Sequence, residues 1–361
     1  NSRADFTADY DFTKQQMHLS VADLQVQEGD GGTYPAINFN LNLDLAEKAR
    51  TFGLKFDRFD LRLGQKIAEL YMDPAWFASR LISQMQPQGV AENGSLRLSL
   101  DAPSEFQYLS NFSKVSGAGF NGIPSATNLA GVFSLSADQG YIEFQGRNSR
   151  LGFPGLYDEA WSTQALSGLV EWRSQQDVFL VSGQDLHVER NGADINGKFR
   201  LEIRPDQADW MLLDLQGANV SVADRLTYIP NKVLNEQTRD WIDSSLAGGN
   251  VKSVAVVFQS ELNEAATPHV RVALDLEDVK VAFAPDWPPA KQVYGQFTLD
   301  ENGILVQVDS ASLATLDVTD IAITLPFSVN KVNWLTVSGT VNDDLGDVLS
   351  VLRTTNLAKT A

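Results

Sequence analysis

The chain has 361 residues, 43% of them hydrophobic, no cysteine, and 28 Lys+Arg against 46 Asp+Glu, a net charge of −18. The missing cysteine excludes disulfides, thiol catalysis and Cys-based metal sites, and suits an oxidising compartment. So acidic a chain has little positive charge with which to release counterions from nucleic acid or to dock on anionic lipid through a basic patch.

Residues 1–12 open the chain as a polar, strand-like run with no secretory signal, which reads as the start of a piece of something larger. No stretch approaches the roughly 18 apolar residues that span a bilayer. From there period-2 alternation dominates. Ile37, Phe39, Leu41, Leu43 and Leu45 share one face, as do Leu96, Leu98 and Leu100, and later Val254, Val256 and Phe258. Turns are expected at Glu92-Asn93-Gly94, Asp138-Gln139-Gly140, Asn191-Gly192 and Glu301-Asn302-Gly303. Links this short favour antiparallel meanders over βαβ units.

Two segments break the alternation. Over 73–85, Asp73 can cap a helix, Pro74 suits its first turn, and Phe77, Leu81 and Met85 share a face. Over 235–247, Asn235 can cap, Glu236 suits the positive helix end, and Gly248-Gly249 is expected to stop the helix. The two helices mark an internal repeat: Leu81 and Trp241, Gly89 and Gly249, and Leu96 and Val256 all keep one offset. The copies read as roughly 72–150 and 232–328, with a weaker copy at 151–231, in one continuous body over 1–361.

The fold class expected is mainly β: an elongated, curled antiparallel sheet, a repeating β-groove or trough, with two short helices. Strands on the order of twenty exceed the usual open sheet of about ten, so the sheet must split, close or curl. Each strand's single apolar face needs cover that two helices cannot supply. A trough leaves an apolar interior suited to acyl chains, at about 0.8 kcal/mol per buried methylene. From alternation alone, an ordinary β-sandwich core is the competing reading.

Tyr228-Ile229-Pro230, Thr238-Arg239-Asp240-Trp241-Ile242 and Gly248-Gly249 resemble a signature of AsmA-like proteins of the YhdP type. Ala284-Pro285-Asp286-Trp287-Pro288, with Phe283 at the expected aromatic, then Gly295-Gln296-Phe297, is similar to a further element of that family, and Gln86-Pro87-Gln88-Gly89 resembles its upstream copy. The resemblance implies a bridge-like lipid-transfer protein of the Gram-negative cell envelope. It would be anchored in the inner membrane by parts not present here, would project into the periplasm, and would move phospholipid towards the outer membrane. Acyl chains are then expected against Leu98, Phe133, Leu135, Phe144, Trp241, Val254, Val256, Phe258, Leu274, Phe283, Phe297, Leu299 and Val306, with Trp241 as plug or wall. No enzyme activity, cofactor, metal or nucleic-acid partner is expected.

Motifs of bond chemistry are weak. Gly117-Ala118-Gly119-Phe120-Asn121-Gly122 spells a dinucleotide motif, but Pro124 follows at once and disfavours the required helix, so it reads as a loop. His18, His187 and His269 have no ligand partner at helical spacing and read as solvent-facing strand positions. Glu28-Gly29-Asp30-Gly31-Gly32 reads as an acidic turn that could hold Ca²⁺. Asp158 and Glu159, beside Tyr157 and Trp161, are the acids to test for a carbohydrate-active enzyme. A periplasmic docking module with a self-filled apolar face is the other alternative.

Overall fold

The computed structural model describes residues 2–27, 33–46, 50–74, 77–102, 104–120, 122–230, 232–263, 265–327 and 334–355. The possible Ca²⁺ turn at 28–32 lies outside them. Among the described residues, eighteen strands form an antiparallel sheet that is not closed into a barrel. In chain order the first elements are β1 (Ser2–Asp11), β2 (Gln16–Val26), β3 (Ile37–Asp44), β4 (Thr51–Asp60), α1 (Leu61–Tyr71), α2 (Phe77–Met85), β5 (Gln88–Ser99), β6 (Phe106–Gly117), β7 (Ser125–Ser136), β8 (Gln139–Gly152) and β9 (Trp161–Gln175). There follow β10 (Val178–Arg190), β11 (Ala193–Ile203), β12 (Trp210–Ser221), α3 (Arg225–Tyr228), α4 (Glu236–Ser245), β13 (Leu246–Glu261), β14 (His269–Val281), β15 (Ala290–Asp300), β16 (Gly303–Leu313), β17 (Leu316–Pro326), β18 (Thr336–Val341) and α5 (Leu345–Arg353). Two compact units divide the chain: unit 1 takes residues 1–155 and 159–186, and unit 2 takes 156–158 and 187–361.

The helices correct the expectation of two. Five α-helices stand among the described residues. In α4, Asn235 caps as expected, its side chain accepting from Thr238 N at 2.8 Å. The helix ends at Ser245, however, and Gly248-Gly249 lies inside β13 and not at a helix stop. The first expected helix is α2; residues 75–76 and the side chain of Phe77 are outside the described set. Helix α1 is hidden in the sequence because Phe59, Leu61 and Leu63 form a period-2 run of their own across its start. Asp60 starts it, accepting from Arg62 N at 2.9 Å and from the Arg62 guanidinium at 2.6 Å. Burial opposes ionisation of Asp60, but these bonds outweigh it and hold its carboxyl below the ordinary range.

Turn chemistry is mixed. Asn191 and Gly192, both at positive φ, make the two-residue β10–β11 hairpin. Glu92-Asn93-Gly94 is not a turn. Asn93, φ 52°, makes a bulge within β5, where the register to β6 shifts between Glu92 and Ser95. Similar left-handed residues sit at register shifts in β2 (Asp23), β6 (Lys114), β7 (Asn128), β14 (Asp278), β15 (Gln292) and β17 (Asp320). Each bulge bends its strand and raises the local twist. Sequence patterning could not place those at Lys114 and Gln292, because Lys and Gln carry no preference for positive φ.

Glycine answers these bulges at two matching places. Gly89 (φ 117°) and Gly249 (φ 101°) run against the bulged neighbour strand, where a Cβ would lie 2.8 Å from Val115 Cα and 2.5 Å from Val279 Cα, respectively. Only a glycine fits both the φ and the approach.

Candidate functional site

Cross-strand partners share a face of the sheet, so the register assigns every candidate residue to a side. In unit 1, Leu41, Leu54, Leu96, Tyr108, Leu135, Gly140 and Trp172 pair successively from β3 to β9. The adjoining row runs Ser110, Phe133, Ile142 and Val170, and the next Phe112, Gly131, Phe144 and Gly168. Leu98 joins the same face opposite Phe52 and Phe106. Rings tile this floor over glycines. A Cβ at Gly168 would lie 2.9 Å from Phe144 Cζ, one at Gly131 2.9 Å from Phe112 Cζ, and one at Gly140 2.5 Å from Trp172 Cζ2. Phe133 bridges Tyr108 and Trp172, with both centroids 5.9 Å away.

In unit 2 one row crosses eight strands, β11 to β18: Ile195, Gly217, Val254, Leu274, Phe297, Val306, Ile323 and Val337. Beside it run Leu215, Val256, Val272, Leu299, Ile304 and Leu325, then Leu213, Phe258 and Val270. The register therefore brings together Val254, Val256, Phe258, Leu274, Phe297, Leu299 and Val306. All seven are half-buried and none is fully buried. Full burial in this unit is concentrated in a cluster of Val222, Val279, Val293, Val308, Ala311, Leu316 and Val318, joined by Val351 of α5, and Val306 packs against its edge. Helix α5 is a second helix missed in the sequence, although Leu345, Val348, Leu349 and Leu352 keep helical spacing.

Two expected residues stand apart from the rows. Trp241 is on α4, 49% exposed, and Phe283 is in the β14–β15 connection, 41% exposed, packed on Trp287 at 5.7 Å.

The opposite, polar face of unit 1 carries a feature the sequence did not reveal: a hollow of about 1080 Å³ reaching across nine strands, β2 to β10. Its lining includes His18, Asn42, Gly53, Arg97, Gln107 and Ser136, which pair successively in register from β2 to β7. The outer strands contribute one parity only, Gln16 and His18 from β2 and Leu180, Ser182 and Gln184 from β10, which puts the hollow on the polar side, while Leu54, Leu96, Tyr108, Leu135 and Trp172 of the apolar row also border it from the intervening strands. A twisted sheet is saddle-shaped, so each face is concave along a different direction.

The remaining motifs resolve simply. Gly117 ends β6, Phe120 bridges back to Ile123, and β7 begins at Ser125, so the glycine motif is a loop between strands and no helix follows it. His18 and His269 lie exposed on strands, His18 against Asn42. His187 also lies on a strand, β10, and is half-buried. Ligand atoms of His187, Glu189 and Asp194 lie within 4.8 Å of one another, because a hairpin joins residues that helical spacing does not. Asp158 pairs with Lys232 at 3.4 Å, and Trp161 packs on Phe153 at 6.0 Å.

Tyr157 donates to Tyr228 O at 3.0 Å, and burial pushes its phenol up to about 12. An unfolded tyrosine titrates near about 10. The stability that Tyr157 contributes is therefore whole below pH about 10 and is lost as pH rises through about 12. In urea titrations at about pH 9 and about pH 11.5, Tyr157→Phe should lose less stability over the interval than the parent chain; equal losses would assign the effect to another group.

Among the described residues no helix is long and apolar enough to cross a membrane. The family model described as "YhdP protein" matches residues 2–361. The intermembrane phospholipid transporter YhdP of Escherichia coli (strain K12) is 18% identical over 247 residues, which cover 67% of this chain and 19% of that protein. The chain thus spans about a fifth of that relative's length. No solved structure matches. With the model matched from residue 2 to residue 361 and the apolar rows of an open antiparallel sheet beneath it, the chain belongs to the YhdP family.

Proposed function

We propose that the apolar faces of the two units hold phospholipid acyl chains, and that the chain is a non-enzymatic segment of a lipid path between the inner and outer membranes, in the periplasm. The observation carrying this is the row from Ile195 to Val337: seven apolar side chains and Gly217 across eight strands on one face, with no fully buried member. A sandwich core of that size would be sealed by a second sheet. Covering it with acyl chains gains about 0.8 kcal/mol per methylene removed from water. Headgroups stay in water, since burying a charged phosphate unpaired costs several kcal/mol. The relative's name as a phospholipid transporter supports the same occupant.

The blocks 72–150 and 232–328 are, in this reading, copies of one groove-building unit, with 151–231 a weaker third. Matching details support it: Gly89 faces Val115 as Gly249 faces Val279, and Gly131 abuts Glu143 O as Gly295 abuts Gln307 O.

One observation favours the docking-module alternative for part of unit 2: near α5 the apolar face is filled by the chain's own side chains. Photo-crosslinkers at Val256 and Phe297, followed by lipid mass spectrometry, separate the two. Capture of phospholipid in cells is expected. A chain that purifies lipid-free and captures nothing would leave only the docking module.

A further inference from the structure

The side chains of the polar face of unit 1 that line the hollow carry a net charge opposite in sign to that of the chain as a whole. Three cations line the hollow, Lys55, Arg97 and Arg173, all exposed. Lys55 pairs with Ser95 and Gly53 with Arg97, so Lys55 and Arg97 are diagonal neighbours on β4 and β5, within reach of one another's long side chains. Arg173 pairs with Gln139 four strands further on.

The lining also holds two carboxylates, Asp44 and Glu171. Both are turned to amides: Asp44 accepts from Gln16 Nε2 at 2.9 Å and Glu171 from Gln184 Nε2 at 3.1 Å. Lys55, Arg97 and Arg173 make no ion pair among the described residues. In a chain of net charge −18, cations gathered in a concavity without anionic partners create a local positive potential that attracts an anion. Gln107 and Ser136 stand between Arg97 and Arg173, and Asn42 flanks Gly53 on the other side, so that amide and hydroxyl donors adjoin the cations. Gly53 keeps the floor bare beside Arg97: a Cβ there would meet nothing nearer than 3.9 Å. At about 1080 Å³ the space exceeds what one phosphate fills, and is of the size that takes a whole small molecule.

We propose that this hollow binds a phosphate monoester or diester carried on a hydroxyl-bearing group, with the phosphate on Lys55 and Arg97 and the hydroxyls on the amide row. A phospholipid headgroup and a free phosphorylated polyol share that chemistry. The phosphate site is argued from polar-face side chains alone and does not rest on the acyl-chain reading.

Calorimetric titration of the whole chain at low salt tests it, with glycerol 3-phosphate as the free probe and sub-micellar dihexanoyl phosphatidylglycerol as the lipid probe. At least one probe should bind, more weakly as salt rises. Lys55→Gln with Arg97→Gln should lower its affinity at least tenfold, and Arg97→Lys should retain part of it. Both positions are exposed, and unchanged thermal melting confirms that the variants fold. Binding of the free ester assigns a soluble ligand; binding of the lipid alone, lost in the double variant, assigns a headgroup. Overturning results are that neither probe binds, or that the double variant binds as the parent does. Val256→Asp with Phe297→Asp should leave this binding unchanged, so failure of the groove and failure of the hollow are read separately.

Discussion

Val256→Asp combined with Phe297→Asp should strip co-purifying phospholipid from the chain while leaving its sheet folded. Both residues are half-buried on the apolar face of unit 2, in adjoining rows. In an empty groove the new carboxylates remain hydrated and cost folding little. Beneath an acyl chain they must shed that water, at several kcal/mol for an unpaired charge. A combined loss of at least about 3 kcal/mol corresponds to roughly a hundredfold weaker binding. Val257→Asp is the control, since Val257 projects from the opposite face and is already exposed. Lipid extraction and native mass spectrometry read the result. Wild-type lipid content in the double variant, with circular dichroism unchanged, would remove acyl chains from this face.

Gly249→Ala should destabilise unit 2 by about 3 kcal/mol, whereas Gly248→Ala should change stability by less than about 0.5 kcal/mol. The neighbours differ in two respects. Gly249 has φ 101°, where an L side chain is strained, and its Cβ would lie 2.5 Å from Val279 Cα and closer still to the Asp278 carbonyl. Gly248 has open space around its missing Cβ. The obstruction at Gly249 is backbone on a paired strand, which cannot rotate away as a side chain would. Urea unfolding of the two variants checks the contrast. Equal stabilities would mean that the bulge at Asp278 relaxes at no cost.

Much of the apolar face was legible because its period is two. Once Val254, Val256 and Phe258 alternate, a strand can turn them only to one side, and register then aligns them with Leu274, Phe297 and Val306. Trp241 and Phe283 were legible as motif residues but not as wall residues, because they sit on a helix and in a connection whose docking depends on distant partners. Helix α1 was hidden by alternation running through Leu61 and Leu63, and α5 by its short span and the interior Gly346.

By itself the sequence determined which residues share a face, where Asn235 begins a helix, and the antiparallel order that short links impose, since each depends on neighbours a few positions apart. Tertiary structure alone decided the bulges at Lys114 and Gln292, the rings laid over Gly131, Gly140 and Gly168, the meeting of His187 with Glu189 and Asp194, and the hollow holding Lys55, Arg97 and Arg173. These depend on strand pairing and on the curvature that pairing and bulges produce together, and alternation is the same whether a face closes into a core or stays open.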